Sequence, residues 1–361
     1  MTLRPLSARS RLRPVLYGVI HALVDAACVA AVVRASRGST VGDLGAFWTV
    51  AGYDWLAFGL QFPLGLLVDR LRLARLSMIV GVAMAALVLA PGPIPPLATM
   101  IAAGVGNALF HLGAGGLVLR SAGGRAAPAG VFVAPGALGL GLGLWMGRTG
   151  RGSTFPIYVA LAFAVIALIT LDKPAPPEDD LKSAPSGAGA QPALLPWLIL
   201  LMLLLASVGV RSFVGFGACF QCPGGLAVVI GLPAAGFLGK LAGGFVADRL
   251  GWLRVSAGAL LLSLPLIAFS GGSLALALPG VLLFQSTMAV TLVAVYALMP
   301  RWPATAFGLP CLALIAGAFP TFAPAGRQLF GRWTFALLIA LSAAALVLAL
   351  RRLSRRGLAR K

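Results

Sequence analysis

Acidic side chains are scarce: Asp and Glu together number 9 in 361 residues, and charged residues of both signs make up 10%. An ordinary soluble domain carries about 25%. A chain this poor in charge cannot clothe its whole periphery for water, which excludes a soluble enzyme or binding module as the default reading. Cysteine is equally thin, and four are too few for a disulfide framework. Cys28 and Cys311 lie inside apolar runs and read as packing residues. Cys219 and Cys222 form "CFQC" without partner His or Cys residues and read as incidental thiols rather than metal ligands. Histidine occurs twice, so no His-x3-His metal pair exists, and there is no nucleophile elbow. The phosphate-cradling Gly-x4-Gly-Lys-Ser/Thr loop is missing too, since "GFLGKL" has the wrong spacing, which argues against a nucleotide-driven pump. No cofactor and no metal are expected.

What is present is apolar. Hydrophobic residues reach 60%, mean hydropathy is +0.98, and the 46 Gly and 25 Pro suit close-packed, kinked membrane helices. The net charge of +19 does not form a nucleic-acid face, because the basic residues fall at the ends of apolar runs. Twelve runs are long enough to span a bilayer. They cover 15–33, 44–68, 74–91, 97–119, 128–147, 154–171, 195–217, 224–247, 255–271, 274–298, 304–323 and 333–350, the third, sixth and ninth being short. The first reads as a retained helix rather than a signal peptide, since His21 and Asp25 interrupt its apolar stretch. With the N-terminus in the cytoplasm, 20 Lys and Arg fall inside and 6 outside, while Arg211 and Lys240 lie within spans. That asymmetry predicts a multi-pass protein of the cell (inner or plasma) membrane with both termini cytoplasmic.

The polar segment "DKPAPPEDDLKSAPSGAGAQPA" cannot bury a core and reads as a flexible cytoplasmic linker. It divides the chain into an N-terminal six-helix half (1–171), the linker (172–194) and a C-terminal half with a basic tail (195–361). The halves repeat: "GLLVDRLRLARLS" from Gly65 recurs as "GFVADRLGWLRVS" from Gly244, 179 residues later. Internal duplication of this kind underlies many secondary transporters.

With two six-helix halves, a central linker and Gly-x-x-x-Asp-Arg in both copies, the sequence resembles the major facilitator superfamily over nearly its whole length. It departs from the usual Asp-Arg-x-Gly-Arg-Arg continuation: Arg72 stands where Gly is expected, and the second copy keeps Gly251 but has Trp252 and Leu253 before Arg254. The resemblance implies an all-α membrane protein of twelve helices in two pseudo-repeats. It also implies a conformational latch built from Gly65, Asp69, Arg70 and Arg75 with their counterparts Gly244, Asp248, Arg249 and Arg254. In it Asp69 faces the N-terminal end of helix 11, and Arg70 and Arg75 supply pairing charges. The alternative is that these residues are topology anchors around a tight turn. The sequence is also similar to fosmidomycin-resistance permeases, through His21 and Asp25 in helix 1 and "FH" in "NALFHLGAGG", although Leu112 replaces the usual Pro. "GVFVAPGALG" in helix 5 is similar to the motif of drug–proton antiporters, with Ala134 and Leu138 at two glycine positions. Both likenesses imply export.

Polar residues inside spans are costly and mark function by default. His21 lies roughly 10 Å from the cytoplasmic end of helix 1, and His111 roughly 12 Å from that of helix 4, at about 1.5 Å per residue. Asp25 and Asn107 are each one turn deeper, on the same helix faces. If helices 1 and 4 adjoin, as the resemblance implies, His21 stands level with His111 and Asp25 with Asn107. Such a cluster suits proton coupling, because imidazole titrates near neutrality; the alternative is a hydrogen bond that serves helix packing. Asp54 reaches the cavity, pairs with Arg211 or caps a break in helix 2. Arg211 binds an anionic group, neutralises Asp54 or Asp25, or snorkels outward. Gln285 is a neutral substrate contact, and Lys240 reads as snorkelling. The expected function is proton-coupled secondary transport of a small organic solute, outward, by a monomer in the lipid bilayer. An importer or uniporter of the same fold, a non-transporting sensor or scaffold, and a membrane-embedded enzyme are the alternatives.

Overall fold

The computed structural model describes residues 8–37, 42–170, 194–222 and 224–358, and every regular element in them is helical. The predicted linker falls almost entirely outside the described residues. In chain order the helices are α1 (Ala8–Arg37), α2 (Gly42–Asp54), α3 (Gln61–Leu71), α4 (Ala74–Leu87), α5 (Pro96–Ser121), α6 (Ala126–Thr149) and α7 (Phe155–Thr170). They continue as α8 (Leu194–Gln221), α9 (Leu226–Leu250), α10 (Trp252–Ala268), α11 (Leu274–Gln285), α12 (Met288–Leu298), α13 (Pro303–Ala318) and α14 (Arg332–Arg355). Eight segments are long and apolar enough to cross a membrane, with α11 and α12 counting as one, and α4, α7 and α10 are shorter apolar helices. The remaining crossing is α2 and α3 joined by the π-helical turn Trp55–Gly59. Twelve crossings result among the described residues, and the even number brings the start of α1 and the end of α14 to one end of the bundle, called here the basic end.

Local chemistry sets the boundaries. Pro96 and Pro303 open α5 and α13, where the absent N–H is not missed. Gly150 closes α6 in the left-handed conformation. Two spans predicted as continuous are broken. In the second, Leu60 N–H reaches back five residues to Trp55 O at 3.2 Å, the register of a π turn. In the tenth, the α-helix stops at Gln285 and resumes at Met288. Hydropathy reports apolar length, not hydrogen-bond register, so neither break shows in it.

Large apolar side chains such as Leu67, Phe163, Ile166, Leu262 and Leu337 are exposed around the periphery. Exposure on that scale suits hydrocarbon rather than water, and the protein is a multi-pass membrane protein. Inside, α1 lies along α6, α6 along α9, α3 and α5 against α13, and α1 against α5. These contacts surround a buried polar centre.

Candidate functional site

The centre is built on α1 and α5. His21 and Asp25 sit one turn apart on α1, His111 and Asn107 one turn apart on α5, and the structure brings the two pairs together. His21 Nε2 lies 2.7 Å from His111 Nε2, and Asn107 Nδ2 donates to Asp25 Oδ1 at 2.8 Å. Asp25 Oδ2 is 3.1 Å from His21 Nε2, and its Oδ1 is 3.9 Å from His111 Nε2. Both histidines and Asn107 are buried, while the Asp25 side chain keeps 16% of its surface accessible.

The backs of the two rings decide what their fronts carry. His21 Nδ1 bonds Phe132 O at 2.9 Å and His111 Nδ1 bonds Asn107 O at 2.8 Å. A backbone carbonyl only accepts, so both Nδ1 atoms must be N–H donors. In neutral rings the two Nε2 atoms then confront each other with lone pairs at hydrogen-bond distance. That arrangement is repulsive unless a cation lies between them. His21, Asp25 and His111 offer donor atoms within 4.8 Å of one another, a spacing also compatible with a metal ion. The 2.7 Å separation fits a proton shared between the rings and is shorter than a metal allows: two imidazoles on one tetrahedral metal, at about 2.0–2.1 Å each, stand about 3.3 Å apart.

Aromatic rings and glycines enclose the pair. Phe132 from α6 and Phe307 from α13 pack against His21 and His111 at centroid distances of 5.0 and 6.2 Å. Phe307 fits over Gly115, where a Cβ would meet its ring at 2.4 Å. A Cβ on Gly136 would lie 2.2 Å from His21 Nε2. The "GVFVAPGALG" motif thus places α6 directly behind the imidazole. Sequence reasoning gave neither Gly136 nor Phe307 a role, because nothing local in the chain says which helix a glycine faces.

At the basic end two carboxylates hold two helix starts. Asp69 accepts from Ala304 N at 3.0 Å, Thr305 N at 2.8 Å and Thr305 Oγ1 at 2.8 Å. Asp248 accepts from Ala126 N and Ala127 N, each at 2.9 Å. Both sites are helix N-termini with unpaired N–H groups and a favourable dipole. Gly65 and Gly244 permit the approach, since a Cβ would stand 3.0 Å from Thr305 Cα and 2.9 Å from Ala127 Cα respectively. The arginines differ from expectation. Arg70, Arg249 and Arg254 are exposed, and Arg75 donates to Leu168 O and Ile169 O at the end of α7. Each Arg that follows its Asp is rotated about 100° around the helix and so points away. The basic side chain in electrostatic contact with Asp69 is Arg120.

The remaining candidates scatter. Asp54 ends α2 at the π turn without capping it by a side-chain hydrogen bond. Arg211 is buried rather than snorkelling, and it meets neither Asp54 nor Asp25. Its Nε donates to Ser207 O at 3.1 Å, one terminal nitrogen to Thr291 Oγ1 at 2.9 Å, and the other to Thr287 Oγ1. Gln285 is half-buried at the end of α11, just before the break in the tenth span. Lys240 corrects its sequence reading. It is half-buried, and the Asp25 carboxylate lies within its electrostatic reach. Its isolation as the single lysine within a span was the available signal. Cys219 and Cys222 are free thiols.

The helical bundle has the major facilitator fold, and solved structures share that fold. One is the crystal structure of a major facilitator superfamily transporter, FucP, in the outward conformation. Its TM-score is 0.67 at 13% identity, covering 97% of this chain and 99% of that one. A second, the E. coli fucose:proton symporter FucP, gives a TM-score of 0.65 at 13% identity with the same coverage. At that identity the likeness is one of fold. No family model and no curated protein matches the sequence.

Proposed function

We propose that this protein is a proton-coupled secondary transporter of a small organic solute, working by alternating access in the cell membrane with its basic end in the cytoplasm. Residues 1–171 and 195–361 are the two bodies that tilt, joined by 172–194. The observation that carries the reading is the His21–His111 contact at 2.7 Å with both Nδ1 atoms committed to carbonyls. In this conformation the cluster holds one proton, and Asp25 is its counter-ion. The contacts of Asp69 and Asp248 tie the two halves together at the basic end, as the closed side of an alternating-access carrier requires. The fold, shared with a proton symporter, supports the same reading. Export by exchange, implied by the helix 5 resemblance, requires proton and solute to exclude one another, most directly by competing for one site. Here the histidines lie buried behind Asp25, which favours separate sites.

Flux in proteoliposomes under an imposed pH gradient tests the proposal. Asp25→Asn is expected to lower gradient-driven flux at least tenfold while solute counterflow exchange, which needs no return of the empty carrier, persists. Wild-type gradient-driven flux in that variant sinks the coupling role.

A further inference from the structure

Four charged side chains lie within the spans: Asp25, Asp54, Arg211 and Lys240. Two acids and two bases balance, but only while the histidine pair carries no proton. The geometry of that pair requires one, which leaves the interior with one excess positive charge in a low-dielectric setting where an uncompensated charge is costly.

The two bases are not equivalent. Arg211 is buried and saturated by Ser207 O, Thr287 and Thr291. Lys240 makes no hydrogen bond or close ion pair among the described residues, and part of its surface is accessible. Lys240 packs against Gly130 of α6, two residues before Phe132, whose carbonyl holds His21; Asp25 and Cys311 are also partly accessible, whereas His21, His111, Asn107 and Cys28 are buried. The accessible wall of the centre is therefore Asp25, Lys240 and Cys311, with the proton site behind it. The Lys240 carbonyl is seated on Gly130 of α6, where a Cβ would approach it to 2.7 Å. Around α9, the helices α6 and α11 carry no titratable side chain between Ala126 and Gly147 or between Leu274 and Gln285. From α12 there is Tyr296 and from α10 Arg254 at its exposed start. Asp25 is thus the carboxylate available to Lys240, and the proton already claims its charge.

We propose that the solute is a small organic monoanion, with a carboxylate or phosphonate head group, that pairs with Lys240 and crosses together with the proton held by His21 and His111. The inference rests on the proton-coupled transport reading and adds the substrate's charge and the sense of coupling. One proton and one monoanion restore neutrality inside the bundle. The unloaded protein returns with Lys240 paired to Asp25 and the histidines parted.

The test uses purified full-length protein with acetate, benzoate and methylphosphonate, each against its neutral amide or ester. At least one anion should raise the melting temperature at pH 6, more than at pH 8, and the neutral partners should not. Lys240→Gln should abolish the shift and Lys240→Arg should keep it. In proteoliposomes the same radiolabelled anion should accumulate when the outside is acid. Stabilisation by a neutral compound, an anion effect unchanged in Lys240→Gln, or no anion effect at pH 6 overturns the inference. Gradient-driven flux of a neutral solute would overturn it too, while leaving proton coupling standing. Anion binding without any response to a pH gradient would instead remove the coupling reading.

Discussion

At the residue scale, single atoms decide whether the centre holds its geometry. Gly136 and Gly139 both face α1, but a Cβ on the first meets the His21 ring tip and on the second meets Ala22 O, each at 2.2 Å. A ring can turn; a backbone carbonyl cannot without moving its helix. Gly136→Ala is therefore expected to cut gradient-driven flux at least tenfold with little loss of melting temperature. Gly139→Ala should instead destabilise by about 1–3 kcal/mol, the usual cost of overpacking. Thermal unfolding alongside proteoliposome flux separates the two. Arg72 gives a prediction of opposite sign. It closes α3 at φ +58°, where the second repeat has Gly251 at φ +95°. A non-glycine residue there costs about 1 kcal/mol, so Arg72→Gly is expected to raise the melting temperature without altering flux. The sequence showed that this position departs from the family pattern, but not that the cause is a left-handed turn. The four-residue cluster was legible for a simple reason. Helical spacing and depth are one-dimensional quantities, and they place His21 level with His111. Lys240 was not legible, because its relation to Asp25 exists only once α9 packs on α6.

At the element scale, the informative features are the places where helices stop being regular. α11 ends at Gln285, and beyond the break Thr287 and Thr291 meet Arg211 from α8. An Arg with hydroxyl partners and no carboxylate within 4 Å carries a desolvation penalty that those hydrogen bonds do not fully offset. The threonines do not depend on it: Thr287 Oγ1 also donates to Phe284 O at 3.2 Å and Thr291 Oγ1 to Thr287 O at 2.9 Å. Arg211→Met is accordingly expected to raise the melting temperature while lowering flux, measured by unfolding and by proteoliposome transport. A fall in melting temperature would mean that Arg211 holds the broken span together. Span number and position could be read from apolar length alone. The breaks could not be placed from it, because a hydropathy average passes over Trp55–Gly59 and over the short polar run Gln285–Thr287 alike and carries no hydrogen-bond register.

At the scale of the whole molecule, two distant contacts join the same two halves. Asp69 ties α3 to the start of α13, and Asp248 ties α9 to the start of α6, with Gly65 and Gly244 at corresponding places. Alternating access as proposed must break both contacts when the basic end opens, and they share no residue, so their contributions to closure should add. A charged hydrogen-bond acceptor contributes about 1.5–3 kcal/mol, and each 1.4 kcal/mol is a factor of ten in population. Asp69→Ala and Asp248→Ala should each raise the population open at the basic end about tenfold or more, and the double variant about a hundredfold. Cys311, partly accessible on α13 beside the centre, is the natural reporter. With Cys28, Cys219 and Cys222 replaced by Ser, an impermeant maleimide added from the basic side should label it at rates that multiply across the series. A double variant labelled no faster than either single one would show that the two carboxylates do not act on a common equilibrium, and the alternating-access reading of the repeat would fail with it.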